Sequence, residues 1–242
     1  MSLKAKLIGF FKKYIFSAKW RCLSCGKEIF SDGGFCEECF KKLPFNDGYI
    51  CDHCGRKVIA AEKYCTTCKG KLVAVDKARS VFSYEEPISD MIKRLKFGNQ
   101  RFLVDYFSVQ LSNIYFQNYF NADYLTFVPM TKKAQRKRGY NQGYLLTKAL
   151  SERVNVPVFC GIEKVKETKR QATLNRRQRM ENLKGAFKVT DRKGIKDKVV
   201  VIVDDVTTTG QTAEAVAERL KRAGAKTVYL ITVASLPPYD KY

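Results

Sequence analysis

Eight cysteines and two adjacent aspartates carry most of the chemistry this sequence can offer. Cys22, Cys25, Cys36 and Cys39 form C-x2-C-x10-C-x2-C; Cys51, Cys54, Cys65 and Cys68 repeat it, each 29 residues after its counterpart. Two thiolates at i and i+3 in a tight turn face one metal ion, and a second such turn completes a tetrahedron that zinc fills without directional demands of its own. Gly26 and Gly55 follow the leading pairs, where the backbone must curl back beneath the sulfurs. Disulfides compete for the same residues, but no secretory signal is evident, and a reducing cytosol favours metal. The spacing therefore predicts two structural zinc ions, one per repeat, with a cross-braced arrangement as the alternative. Four thiolates leave no open coordination position for catalysis. His53, the only histidine, reads as a loop residue, and Cys160, in the apolar stretch PVFC, as a small buried core residue. Lys27, Arg56, Lys57, Lys63, Lys69 and Lys71 give the ribbons charge for a nucleic-acid or protein partner, unless the ribbons serve only as a clamp.

The aspartates lie in VVVIVDDVTTTGQT, residues 199–212. Thr207, Thr208, Thr209 and Gly210, followed by Gln211 and Thr212, bring successive backbone N–H groups to a helix N-terminus, where the helix dipole favours an anion. Gly210 permits close approach to a phosphate. Asp204 and Asp205 stand one step back along the strand, where carboxylates suit a vicinal diol or the water shell of Mg2+. A phosphorylated ribose has that layout. There is no G-x-x-x-x-G-K-[ST] and no G-x-G-x-x-G, which removes the P-loop and the dinucleotide fingerprint.

The elements that must position these residues follow from periodicity. Beyond about residue 73 the pattern predicts helices over 86–97 and 100–119, a strand over YLTFVPM, a helix over 140–153 and a strand near PVFCGIEKV. A long polar loop, the strand KVVVIVDD, a helix over 212–223 and the strand TVYLITVAS complete the chain. Continuous apolar strands alternating with helices indicate an α/β fold with a parallel sheet covered on both faces. Ligands of such sheets bind outside the C-terminal strand ends, which selects three loops: VPMTKKAQRKRGYNQ, the basic segment after the second strand, and DDVTTTGQT. The expected organisation is an amphipathic helix over 1–20, a tandem four-cysteine double zinc ribbon over 21–72 and the α/β domain over 73–242.

The 242 residues carry a formal charge of +21, or about +17 once eight thiolates hold two zinc ions. Such a field favours polyanions: nucleic acid, anionic lipid or phosphorylated small molecules. No apolar run reaches a membrane span, and Lys12 and Lys13 interrupt the N-terminal stretch before a signal-peptide core forms. Fifteen basic residues stand against four acidic ones between 131 and 184. That surplus fits a single strand tracking a basic groove, with Tyr140, Tyr144 and Phe187 available for stacking.

VVVIVDDVTTTGQT resembles the phosphoribosyl-diphosphate (PRPP) motif of type I phosphoribosyltransferases: apolar strand, two acids, Thr/Gly-rich turn. With RKRGYNQ at 136–142, TKRQATLNRRQRMENLKGAF at 168–187 and the cysteine pairs, nearly the whole chain is similar to the ComF family, whose ComFC members act in natural DNA uptake. The resemblance implies a type I phosphoribosyltransferase-like domain in which Asp204 and Asp205 contact the ribose hydroxyls of PRPP and Thr207 to Thr212 its 5′-phosphate. It implies a diphosphate loop at Thr131, Lys132 and Lys133, with Mg2+ accompanying PRPP. Arg136, Arg138 and Gln142, and Thr168, Gln171, Leu174, Arg179 and Asn182, match the family's signatures and would line the site or its flap. Purine-base relatives place a carboxylate where this chain has Thr208, glutamine-dependent relatives need a cysteine nucleophile where Ser2 stands, and the large domain has no histidine. PRPP binding is thus expected ahead of any particular transfer reaction. The resemblance further implies single-stranded DNA, a ComFA-like helicase and other DNA-uptake proteins as partners. The place of action would be the cytoplasm, with membrane association through those partners, and the role handling of incoming DNA in natural transformation. The alternative is an active phosphoribosyltransferase with an unknown acceptor.

Overall fold

The computed structural model describes residues 21–30, 33–58, 61–70, 73–168 and 182–237; the helix expected over 1–20 lies outside them. The chain divides into two compact units, Met1–Leu43 and Pro44–Tyr242. The second cysteine repeat therefore shares a unit with the α/β domain.

In the first unit the leading knuckle closes through Cys22 N–H to Lys27 O (2.7 Å), Gly26 N–H to Cys22 O (2.9 Å) and Leu23 N–H to Gly34 O (2.8 Å). A short helix, α1 (Glu37–Phe40), follows. In the second repeat Cys51 N–H bonds Arg56 O (2.8 Å), Gly55 N–H bonds Cys51 O (2.9 Å) and Asp52 N–H bonds Lys63 O (2.9 Å). Every donor and acceptor is displaced by the 29 residues that separate the cysteines, so the duplication read from spacing is a duplication of backbone structure.

The second unit continues with β1 (Lys77–Ser83), α2 (Ile88–Phe97), α3 (Leu103–Gln117), β2 (Tyr124–Phe127), α4 (Lys132–Arg138) and α5 (Gln142–Val154). Then come β3 (Ile162–Lys164), β4 (Phe187–Val189), α6 (Arg192–Ile195), β5 (Val199–Thr207), α7 (Gln211–Arg222) and β6 (Thr227–Ser235). The main sheet has the order β1-β6-β5-β2, all parallel. β5 is central, which explains its unbroken VVVIV run: a strand covered on both faces needs apolar residues at every position. One face packs Val200, Ile202, Val228 and Leu230 against Ala213, Val216, Ala217 and Leu220 of α7, whose i, i+3, i+4, i+7 spacing makes a single stripe. α3 and α5 pack on each other and on the strands. Because the strands are parallel, their C-terminal ends, and the loops that follow, gather at one edge.

Three local expectations change. β1, KARSVFS, carries Lys, Arg and Ser and has no apolar period to announce it, yet Ala78, Val81 and Phe82 are buried by pairing with β6. PVFCGIEKV is not one strand. Val158 makes a single parallel bridge to Leu125, whereas β3 pairs antiparallel with β4 in a separate two-stranded sheet. Cys160 is exposed, not buried, because Phe159 turns into the core and the next residue of an extended chain points the other way.

Candidate functional site

Asp204 and Asp205 end the apolar part of β5, with Asp204 level with Thr232 of β6. Successive strand residues leave opposite faces, and the two carboxylates have different surroundings. Asp204 is half-buried and lines a pocket with Thr207, Thr208, Gly210, Gln211 and Thr212. Its Oδ1 accepts from Asp205 N–H (2.9 Å). Asp205 is buried, with Oδ1 2.9 Å from Lys96 Nζ at the end of α2. Burial alone would lower the Lys96 pKa, but attraction to Asp205 outweighs it and holds the ammonium above its ordinary value. Asp204 moves the other way: burial and then the Asp205 charge push its carboxyl up to about 7.

The turn after β5 ends at Gly210, whose φ of 72° suits glycine and starts α7 without a side-chain cap. Glycine has no side chain, so the N-cap residue itself does not cap the first turn of α7. Thr207 Oγ1, also in the pocket wall, is buried with no partner among the described residues; Asp205 Oδ2, which does not line the pocket, has no hydrogen bond either. Buried polar atoms are almost always satisfied, so such atoms at a pocket point to a ligand or to water.

RKRGYNQ is explained residue by residue. Thr131 caps α4 by accepting from Ala134 N–H (3.2 Å), and its hydroxyl donates to Glu167 (2.5 Å). The expected loop at Thr131, Lys132 and Lys133 is consequently the start of a helix, with both lysines exposed. Ala, Gln, Lys and Arg favour a helix once a cap is present. Gly139, at φ 85°, ends α4, and Asn141 caps α5 by accepting from Tyr144 N–H (3.2 Å). Arg138 donates to Gln142 Oε1 at 2.6 Å and lies close enough to Asp204 to favour its ionised form. Arg138, Gln142 and Asp204 thus meet at the strand ends, while Arg136 is exposed on α4.

Thr168 accepts from Lys164 Nζ (2.7 Å), and Asn182 begins the chain's return towards β4. Gln171, Leu174 and Arg179 lie outside the described residues. Two of the proposed stacking residues are core: Tyr140 is 7% exposed, its hydroxyl donating to Leu95 O, and Phe187 is 2% exposed. Tyr144 keeps an exposed edge, and Phe97, 75% exposed beneath the Arg138 guanidinium (5.4 Å), is the aromatic that periodicity did not single out.

The cysteines gather as Cys22, Cys25, Cys36 and Cys39, and as Cys51, Cys54, Cys65 and Cys68, with ligand atoms within 4.8 Å of one another. Each repeat supplies a complete set, so the sites are in series and not cross-braced. A zinc ion with four Zn–S bonds of about 2.3 Å has sulfurs about 3.8 Å apart. Cys25 and Cys36 Sγ lie 3.8 Å apart and Cys54 and Cys65 Sγ 3.9 Å apart, which fits that ion and no disulfide. His53 is buried beside Tyr64, with ring centroids 5.6 Å apart, and belongs to neither cluster.

Two residues at this edge escaped sequence reasoning. Lys96 follows no motif. Arg56 was placed among the charges the ribbons present outward, but it is 4% exposed and its Nη2 donates to Thr208 O in the pocket turn at 3.2 Å. The signal available was that the first repeat has Lys27 at the matched position.

Residues 141–241 match the Phosphoribosyl transferase domain family and residues 13–69 the Double zinc ribbon domain family. The chain is 31% identical over 218 residues to Competence protein F of Haemophilus influenzae, covering 86% of this chain and 94% of that protein. It is 30% identical over 159 residues to the DNA utilization protein YhgH of Escherichia coli K12 (62% and 67%), and 26% identical over 147 residues to Competence protein ComFC of Bacillus subtilis (60% and 58%). Among solved structures, the glutamine PRPP amidotransferase of B. subtilis aligns at 20% identity and a TM-score of 0.38, over 54% of this chain and 26% of that longer one. No described helix is long and apolar enough to cross a membrane. A paired four-cysteine ribbon, a parallel sheet ending in the acidic pair and its threonine turn, and near full-length similarity to Competence protein F make this chain a member of the ComF family, with a type I phosphoribosyltransferase-like domain.

Proposed function

We propose that this protein binds PRPP with Mg2+ at the end of β5, binds single-stranded DNA, and handles incoming DNA during natural transformation. The observation that carries the pocket is the Thr207 hydroxyl, buried and without a partner among the described residues, in a wall shared with the uncapped start of α7. A phosphate held there would satisfy the Thr207 hydroxyl and lie at the positive end of the α7 dipole. Asp204 then accepts from the ribose hydroxyls. Mg2+ accompanying the ligand would supply positive charge that offsets the diphosphate. The DNA part rests on the basic excess between 131 and 184, on exposed Lys132, Lys133 and Arg136, and on the names of the relatives. A helicase of the uptake machinery is the partner this role calls for.

Calorimetry with PRPP and Mg2+ tests the pocket. Asp204→Asn combined with Asp205→Asn abolishes binding while zinc content stays constant; undiminished affinity rejects the assignment. One observation favours the transferase reading as a second possibility: with its carboxyl near 7, Asp204 can exchange a proton at neutral pH. Diphosphate released from PRPP over many turnovers, with an identified nucleobase, amine or oligonucleotide acceptor, decides for it.

A further inference from the structure

The second zinc knuckle sits against the strands that carry the pocket. Asp52 O accepts from Ala78 N–H (2.6 Å), and the Asp52 carboxylate pairs with Arg79 Nη1 at 2.7 Å. Gly55 O accepts from the Ser235 hydroxyl at 3.4 Å. Gly55 itself has φ +71°, and a Cβ there would lie 2.8 Å from Ser80 Oγ and 3.0 Å from Arg79 C. Only glycine allows the knuckle to come this close to β1. The next residue is Arg56, whose guanidinium donates to Thr208 O (3.2 Å) in the turn that begins the pocket. Leu236 N–H bonds Thr207 O (3.2 Å), so the turn is held from β6 as well.

A comparison within the chain separates this contact from ribbon architecture. Lys27 occupies the place of Arg56 in the first repeat, with the same backbone bond to the leading cysteine, and it is exposed. The knuckle therefore folds without a buried cation at this position. Burying a guanidinium is costly unless its donors are used, so its inward placement in the second repeat calls for a task specific to that repeat. A donor on the Thr208 carbonyl fixes the orientation of the peptide that follows, and hence of the N–H groups meeting the phosphate. Its positive charge beneath the turn also lowers the cost of bringing a dianion there.

We infer that Arg56 is a positioning residue for the phosphate turn, so that the second four-cysteine site is part of the sugar-phosphate pocket and not only a fold clamp. The Cys51, Cys54, Cys65 and Cys68 sulfurs fit zinc, and the ion would fix the knuckle backbone from which Arg56 reaches the turn. The inference rests on the PRPP reading for its ligand, but the ordering of the turn can be read without any ligand.

The test uses the full-length, zinc-loaded protein, as wild type, Arg56→Gln and Arg56→Lys. Zinc content, melting temperature, calorimetric PRPP–Mg2+ affinity and hydrogen exchange of the Leu236 and Glu214 amides, which bond Thr207 O (3.2 Å) and Gly210 O (2.9 Å) of the turn, are measured on each. The expected result for Arg56→Gln is about tenfold weaker PRPP binding, the loss that follows when about a tenth of molecules keep the competent turn. Exchange of the two amides rises by a similar factor, while zinc content holds and amides of the β5 core stay protected. Arg56→Lys, which keeps a charged donor but not the fork, recovers part of both. If wild type binds PRPP and Arg56→Gln binds equally well, the positioning role is overturned and the pocket assignment stands. If wild type does not bind PRPP, the proposed ligand is rejected. Exchange then decides alone, unchanged protection of the two amides in Arg56→Gln overturning the inference and selective deprotection upholding it. Should Arg56→Gln fail to fold, the same readings on Arg56→Met, which removes the donors and keeps an apolar stem, decide: wild-type exchange and affinity overturn the role.

Discussion

Asp204 gives the pocket a pH signature. Its half-buried carboxyl is pushed up from the ordinary 3.8 to about 7, first by burial and then by the Asp205 charge, with Lys96 and Arg138 pulling the other way. Ribose hydroxyls bond an ionised carboxylate more strongly than a neutral carboxyl, so the proposed ligand should favour loss of the proton as it docks. A midpoint of about 7 leaves the group about one-tenth ionised at pH 6, half at pH 7 and nine-tenths at pH 8. Affinity attributable to this group should rise about fivefold from pH 6 to 7, and less than about twofold from 7 to 8. The ligand's phosphates also titrate near 6, so the primary assay is carbon NMR of the Asp204 carboxyl in ligand-free protein. Asp205→Asn should lower the Asp204 midpoint by about one unit, because it removes a like charge and leaves Lys96 to act on Asp204 alone. For folding, the sign is opposite to that of an ion-paired acid. Between 3.8 and about 7 the folded protein holds a proton the unfolded chain has lost, so this group adds stability as pH falls through 7 and withdraws it as pH rises. A carboxyl titrating at its ordinary value, or one unmoved by Asp205→Asn, refutes this reasoning.

Lys96→Met strands a buried Asp205 carboxylate and should cost about 3 kcal/mol in urea unfolding, most of it recovered by adding Asp205→Asn; equal loss in single and double variants contradicts the ion-pair account. Gly26→Ala and Gly55→Ala place a methyl at φ +75° and +71°, but open space surrounds the first and the β1 backbone the second. The first should cost about 1–2 kcal/mol and the second several more; equal melting temperatures contradict the close approach. Cys65→Ser should halve zinc content as measured by chelator release, since each cluster holds its own ion; loss of all zinc argues for a shared site. Single-stranded DNA binding should weaken by orders of magnitude between low and moderate salt, and a gel shift that barely changes rejects the basic groove.

The parts of the fold legible in sequence are those where local chemistry and tertiary position agree. VVVIVDD announces a central strand because burial on both faces demands an unbroken apolar run, and α2 and α7 announce themselves by i, i+3, i+4, i+7 stripes. β1 was not legible: its lysine, arginine and serines are accommodated by pairing and by the Asp52 contact, which are long-range facts. α4 was hidden by its charge, since an exposed helix with no apolar face has no period to detect. The zinc ligands were readable because thiolate pairs in tight turns constrain spacing directly. The stacking residues were misplaced because an aromatic's exposure is set by packing; Tyr140 and Phe187 are core, and Phe97 is not.

The acidic pair shows why motif and site are different objects. Two aspartates in succession look like one negative centre, which would be a poor neighbour for a phosphate. On a strand they cannot act as one, because the pleat sends them to opposite faces. Asp205 goes inward and is neutralised by Lys96, a residue more than 100 positions away. Asp204 goes to the pocket, and its proton, retained at pH 6, makes the unliganded site less negative than the sequence suggests. Arg138 from one side and Arg56 behind Thr208 add positive charge from two further segments. The edge of the sheet therefore gathers a buried hydroxyl, the start of α7 and remote cations around one carboxylate, an arrangement that suits the proposed sugar phosphate. Each group that gives the two aspartates different surroundings comes from a different part of the second unit, so the folded sheet edge, and not the DD dipeptide, sets the chemistry of the site.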